Sequence, residues 1–360
     1  MSNIGLYIHV PFCLSKCPYC DFYSVGYTPE RAEEYKGAVI RNLRHYDDEH
    51  GFSFDTVYFG GGTPILMHEH IGEILGNIRL TDNAEITIEA NPCVSSEKAL
   101  NNLISCGVNR ISFGVQSLSD SELSFLGRRH TAKEAIAAIE RAYSAGFRNI
   151  SADLMLGLSG QRREALGYSI DRLSELPINH ISAYMLKIEK DTPFGSMKLS
   201  LPNEDETAEL YLFACQRLEE KDFFQYEISN FSQRGMESRH NLKYWRCEEY
   251  LGIGPAAHSY LNGKRFSVER DIDDFLRSEV QKTEVTDESS GTFEEYAMLK
   301  LRLREGLSFS ECESFGVSRD YIEKKLKAIP KSYIDCDEKG IRLTPEGFLL
   351  SNTIIAKIIY

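Results

Sequence analysis

The chain has 360 residues, 42% hydrophobic and 26% charged, a globular composition that excludes fibrous, collagen-like and disordered material. Its formal net charge of -13 is spread along the chain, and without concentrated Lys and Arg to neutralise phosphates no nucleic-acid partner is expected. Apolar runs such as Ile354-Ile355-Ala356 fall far short of the roughly 20 residues that cross a bilayer. The first ten residues carry neither a basic region nor a small-residue cleavage site, so a cytoplasmic location is expected.

From residue 4 to about 186, short β-rich apolar runs alternate with amphipathic stretches of ten to fifteen residues, the pattern of repeated βα units on a parallel sheet. Strands are predicted at 6–10, 56–59, 85–89, 110–115, 149–154 and 180–186, and helices at 31–44, 70–78, 96–105, 132–145 and 164–176. Gly107 and Gly146 fall where helices should end, and Pro177 follows another. The fold class is therefore α/β, a partial (βα)6 TIM-like barrel whose ligands should sit at the C-terminal strand ends.

Three parts are expected. Residues 1–200 form the barrel, and 201–281 pack on it, with a helix at 205–221 and an aromatic stretch at 223–260. A polar linker at 282–292 then leads to a small helical, winged-helix-like domain at 293–360, opening with an amphipathic helix at 294–304.

Nine cysteines stand at 13, 17, 20, 93, 106, 215, 247, 312 and 336, a metal or redox pattern rather than a disulfide framework. Cys13, Cys17 and Cys20 are spaced C-x3-C-x2-C directly after the first strand. Three thiolates on a strand-end loop can ligate three irons of an iron–sulfur cluster and leave the fourth open. A structural zinc site would want a fourth ligand, and no partner Cys-x-x-Cys or His-x3-His follows. Cys17-Pro18-Tyr19-Cys20 read alone would be a dithiol redox pair.

Gly60-Gly61-Gly62-Thr63-Pro64 ends the second strand, where bare backbone can approach a ligand. Glu89, Gln116, Arg128 and Asp153 stand at or just beyond successive strand ends and should gather at the same end of the barrel.

The cysteine loop, the Gly-Gly-Gly-Thr-Pro run and Glu89-Ala90-Asn91-Pro92 together resemble the radical S-adenosylmethionine (SAM) superfamily, over most of the chain. The resemblance implies a [4Fe-4S] cluster on Cys13, Cys17 and Cys20, with SAM chelating the open iron. It implies SAM contacts from Tyr7, Gly61, Gly62, Thr63, Glu89, Gln116, Arg128 and Asp153. Carboxylates and amides near a cationic sulfonium and a ribose fit that role.

Within the superfamily, the opening Tyr7-Ile8-His9-Val10-Pro11-Phe12-Cys13 and the C-terminal part resemble the oxygen-independent coproporphyrinogen III oxidases and the HemW heme chaperones. The oxidases carry a fourth cysteine where this chain has Phe22, and a long N-terminal extension before the first cluster cysteine. His240-Asn241-Leu242-Lys243-Tyr244-Trp245 matches the His-Asn-x-x-Tyr-Trp signature of the chaperones. These features imply a heme chaperone with His240, Asn241, Tyr244 and Trp245 at the heme. They leave its status as an enzyme open and make oxidative decarboxylation of coproporphyrinogen the alternative.

The implied partners are heme, an apo-hemoprotein acceptor and SAM. Peripheral contact with membrane-bound acceptors and a homodimer are further expectations. Read from the residues alone, His240 offers an imidazole and Tyr244 and Trp245 flat faces, and His240 and Tyr244 would share one helix face at i, i+4. A packed aromatic corner is the plain reading of the same residues, and Cys247 is an alternative thiolate ligand. The resemblance makes 252–258 a loop lining the cofactor site.

Overall fold

The computed structural model describes residues 3–288 and 290–360. All six predicted strands form, as β1 (Asn3–Val10), β2 (Ser53–Gly61), β3 (Leu80–Ala90), β4 (Arg110–Gln116), β5 (Asn149–Leu156) and β6 (His180–Met185). They lie side by side in that order, each pair parallel. The class is α/β.

The sheet grows at both edges. Beyond β6 come the short antiparallel strands β7 (Phe224–Gln225) and β8 (Asn230–Ser232). On the other side, β9 (Tyr250–Ile253) pairs parallel with β1, and an antiparallel meander follows: β10 (His258–Leu261), β11 (Lys264–Val268) and β12 (Thr283–Asp287). The twelve strands run β12-β11-β10-β9-β1-β2-β3-β4-β5-β6-β8-β7.

Two sequence expectations change here. The stretch 282–292 is not only a linker, because it holds β12. Every residue of Thr283–Asp287 is exposed, so the strand has no buried apolar face to announce it, and its pairing with β11 makes it a strand. Of residues 252–258 only 254–257 form a loop: Gly252 and Ile253 belong to β9, beside Tyr7 and Ile8, and His258 opens β10.

Helices cover the outer face of the sheet: α1 (Pro29–His50), α2 (Ile71–Leu75), α3 (Glu97–Ser105), α5 (Ala132–Ala145), α6 (Arg163–Ser174) and α7 (Glu204–Glu219), while Phe125 of α4 (Asp120–Phe125) packs in a small separate cluster with Tyr19 and Met155. Thr28 caps α1 and Pro29 opens it, and it runs to His50, six residues past the predicted end, before Gly51 stops it. Thr131 and Glu134 form a capping box on α5. The polar six-residue α4 is too short to show a period and went unpredicted.

Strand alternation decides which side chains meet the helices. Leu6, Ile8, Val57, Phe59, Ile86, Ile88, Ile111 and Phe113 are buried, together with Val39, Leu100, Leu103 and Ile139 of the helices, in one continuous core. The alternate positions, among them Thr56, Tyr58, Glu85, Glu89, Arg110, Ser112, Ser151, Asp153 and His180, face the concave side. The barrel interior is therefore polar.

After residue 293 come a helix at Phe293–Lys300, shorter than predicted, and four more short helices. An antiparallel sheet joins Leu307–Ser308, Gly340–Leu343 and Ile334–Cys336. Backbone bonds from Ile228 to Arg302 and from Arg304 to Tyr226 tie this part to the edge of the main sheet. Among the described residues, no helix is long and apolar enough to cross a membrane.

Candidate functional site

A cavity of about 340 Å³ opens at the C-terminal ends of β2 to β6. Cys13, Cys17 and Cys20 line it together with Gly61, Gly62, Thr63, Glu89, Gln116, Arg128 and Asp153. A larger cleft of about 1030 Å³ beside α6 and α7 gathers none of the singled-out residues.

The cysteine loop and the glycine turn are built against each other. The amides of Gly62 and Thr63 donate to the carbonyls of Val10 and Phe12, at 2.8 and 2.7 Å. This brings the Thr63 hydroxyl 3.6 Å from the Cys13 sulfur. A Cβ on Gly62 would lie 2.6 Å from the Phe12 carbonyl oxygen. Gly61 has φ +114°, and a Cβ there would lie 2.7 Å from the His9 ring. Neither position accepts a side chain.

Arg128 crosses the cavity wall, donating from Nη1 to the Cys17 sulfur at 3.5 Å and from Nη2 to the Gly114 carbonyl at 2.6 Å. Its buried Nε has no hydrogen-bond partner among the described residues. Burial pushes the Cys20 thiol up, and the neighbouring Cys17 and Cys13 add to it. No three His, Cys, Asp or Glu groups converge on a single-ion position among the described residues.

Opposite the thiols stand two carboxyl groups. Glu89 accepts from the Tyr58 hydroxyl at 2.9 Å and from the Gly61 amide at 3.1 Å. Burial pushes it up to about 7, and the charge of Asp153 adds to the rise. Asp153 accepts from Ser112 at 3.3 Å, and burial lifts it to about 6. Gln116 holds φ +68° after a register shift in β4, a left-handed backbone on a non-glycine residue at the cavity wall.

Tyr7 stands apart from this set. It does not line the cavity, and its hydroxyl is 3.0 Å from His9 Nδ1 while its ring stacks on Tyr58. Sequence reasoning missed Asn91, Ser112, Met155 and Tyr184, which also line the cavity. Their signal was the strand period, since Ser112 precedes Gly114 by two and Met155 follows Asp153 by two.

The His-Asn-x-x-Tyr-Trp segment forms the helix α8 (Arg239–Trp245), capped by Ser238. His240 is wholly buried, with Nδ1 2.9 Å from the Thr56 hydroxyl and Nε2 2.7 Å from the Tyr244 hydroxyl. Burial, reinforced by Lys243 and Arg110, depresses the imidazole to about 3 and keeps it neutral. Asn241 and Trp245 are half-buried, and the Arg302 guanidinium lies 6.0 Å from the indole. Cys247 is half-buried beside Arg265 and Glu295. In this arrangement, therefore, the histidine points inward, and the tryptophan is half-buried beside the C-terminal part.

The model of the radical SAM superfamily matches residues 7–173. Heme chaperone HemW of Bacillus subtilis is 36% identical, over 97% of each chain. Heme chaperone HemW of Escherichia coli is 34% identical, over 99% of this chain and 98% of its own. The chain belongs to the HemW family of the radical SAM superfamily.

A further relative of this HemW-family chain is the mitochondrial radical S-adenosyl methionine domain-containing protein 1 of Danio rerio. That protein is 31% identical, over 99% of this chain and 86% of its own. Coproporphyrinogen III oxidase (HemN) from Escherichia coli has a similar structure, with a TM-score of 0.81 over 99% of this chain and 90% of that one. At 21% identity it shares the fold. Membership of the radical SAM superfamily implies a [4Fe-4S] cluster and SAM.

Proposed function

We propose that this chain is a heme chaperone, which binds heme and passes it to an apo-hemoprotein, with a [4Fe-4S] cluster and SAM held in the strand-end cavity. The observation that carries the reading is the 36% identity to HemW of Bacillus subtilis over nearly the whole of both chains. The oxidase alternative has a likeness of fold alone, and Phe22, where the oxidases carry a cysteine, stands 64% exposed at the cavity rim.

Cys13, Cys17 and Cys20 hold the cluster in this reading, and Gly61, Gly62, Thr63, Glu89, Gln116, Arg128 and Asp153 hold SAM. The donor set supports it. Two desolvated carboxyls want a cation, and the buried Arg128 Nε wants an acceptor. When bound, a reduced cluster beside a sulfonium supplies one-electron chemistry. Tyr7 acts from below, through Tyr58.

Heme falls to the α8 segment, His240, Asn241, Tyr244 and Trp245. Asn241 and Trp245 are half-buried, and ligation by His240 requires one ring nitrogen to leave Thr56 or Tyr244. Delivery to a membrane-bound hemoprotein asks only for peripheral contact.

Anaerobic heme titration of the cluster-reconstituted chain tests the function. A stoichiometric Soret shift, followed by transfer to an apo-hemoprotein, is expected. Turnover of coproporphyrinogen with no heme bound would sink the reading.

A further inference from the structure

His240 sits beneath the cavity, not in it. Its amide donates to Glu85 Oε1 at 3.1 Å, and the amide of Arg239 donates to Glu85 Oε2 at 3.2 Å. Its ring is held by Thr56 on β2 and by Tyr244 one turn along α8. The start of α8 is thus fixed to two neighbouring strands by three bonds to Glu85 and Thr56, all on the concave face of the sheet.

The next layer stands on this ring. Tyr58 follows Thr56 by two on the same strand face, and its ring stacks on His240 with centroids 5.2 Å apart and planes at 28°. Tyr7 completes a three-ring stack, 6.2 Å from Tyr58 and 6.5 Å from His240. The hydroxyl of Tyr58 reaches Glu89, and Glu89 takes the Gly61 amide. A Cβ on Gly60 would lie 2.9 Å from Tyr7 and 3.0 Å from Tyr58, so the glycine turn rests directly on the two phenol rings.

We infer that His240 is a positioning residue for the strand-end cavity: through Tyr58 it sets the carboxylate of Glu89 and the glycine turn where the cofactor is received. The inference rests on the reading of that cavity as the SAM site. A close-packed interior has no slack, so a void in place of the imidazole lets Tyr58 sink and takes its hydroxyl away from Glu89. A histidine that serves only α8 would confine the damage to the floor.

Two measurements on the full chain test this. In the chain without ligand, His240→Ala should speed amide hydrogen exchange in 58–63 and 86–91 as well as around α8, with α5 unchanged. In the cluster-reconstituted chain, titrated with SAM in a calorimeter, His240→Ala and Tyr58→Phe should each weaken binding by about tenfold, the size of one displaced hydrogen bond to a charged group. Thr56→Val, which frees the ring without opening a void, should show the same exchange pattern more weakly and keeps the test alive should the alanine variant not fold. Exchange raised in 238–246 alone, or an unchanged SAM affinity with a lowered melting temperature, overturns the inference. A long-range exchange effect in His240→Ala, together with wild-type protein that takes up no SAM, refutes the cofactor reading and leaves the positioning role supported.

Discussion

Asp153 stands close enough to Glu89 to oppose its ionisation, on top of the burial that raises both. Two acids that ordinarily titrate near 4.5 and 3.8 are lifted to about 7 and about 6. Between the ordinary and the lifted values the folded protein holds protons that the unfolded chain has released. The contribution of these groups to stability therefore falls as pH rises through about 6 and 7.

A cationic ligand reverses that balance, because it favours the ionised carboxyls. SAM affinity of the reconstituted chain should rise between pH 5.5 and 7.5, and Glu89→Gln should remove the upper part of the rise. Calorimetric titrations at a series of pH values check this; a flat wild-type profile would separate the carboxyls from the ligand.

The three cavity thiols should carry the cluster together. Cys17→Ala is expected to lose most of the iron and the brown chromophore after anaerobic reconstitution, and Cys13→Ala and Cys20→Ala likewise. Cys336→Ala, at an exposed thiol far along the chain, should keep the full iron content. Iron and sulfide analysis with the visible spectrum distinguishes the outcomes.

Much of this site was legible before any coordinates. The strands announced themselves through alternation such as Leu6-Tyr7-Ile8-His9-Val10, and their ends carried Gly61, Glu89, Gln116 and Asp153 to one cavity, as βα topology requires. The helical pairing of His240 with Tyr244 was readable too, and their side chains do meet. The direction in which that pair points was not. A period shows which residues share a face, while only packing shows whether the face meets water or the barrel interior. Thr56, Glu85 and Tyr58, which decide it, lie roughly 150 to 185 residues away in sequence. The edge strand β12 escaped notice for the reverse reason, since its exposed residues carry no burial pattern at all.

The glycine turn should tolerate no side chain. In Gly62→Ala the new Cβ would meet the Phe12 backbone at 2.6 Å, and backbone cannot swing aside as a flexible side chain can. The turn must shift, taking with it the Thr63 hydroxyl beside Cys13. A destabilisation of about 1–3 kcal/mol is expected, with SAM binding lost. Gly26→Ala, where nothing lies within 4 Å of the added carbon, is the matched control in thermal melting.

His240→Ala should cost about 2–4 kcal/mol, from the void and from the Thr56 and Tyr244 hydroxyls left unpaired. The pH dependence identifies the cause. The folded protein keeps this imidazole neutral down to about 3, against an ordinary 6.5. Its stabilisation is complete above about 6.5 and is lost as pH falls toward 3, because the unfolded chain takes up a proton that the folded one refuses. The gap in stability between wild type and variant should therefore narrow from pH 7.5 to 4.5 in denaturation monitored by circular dichroism. A gap that stays constant would mean that the ring titrates as freely folded as unfolded.

If His240 ligates heme as proposed, heme and SAM make opposing demands on one histidine without sharing a site. Heme that takes His240 must draw a ring nitrogen from Thr56 or Tyr244 and lift the ring from Tyr58, which loosens Glu89 and the glycine turn. Coupling between two binding events is reciprocal. SAM, which favours the closed floor, should weaken heme binding by the factor by which heme weakens SAM, on the order of 5- to 50-fold. Soret titrations with and without saturating SAM, and SAM titrations of heme-loaded and heme-free chain, measure the two factors independently. Equal heme affinities with and without SAM would place the heme ligand elsewhere than His240, and Trp245→Ala then tests whether the indole makes the contact.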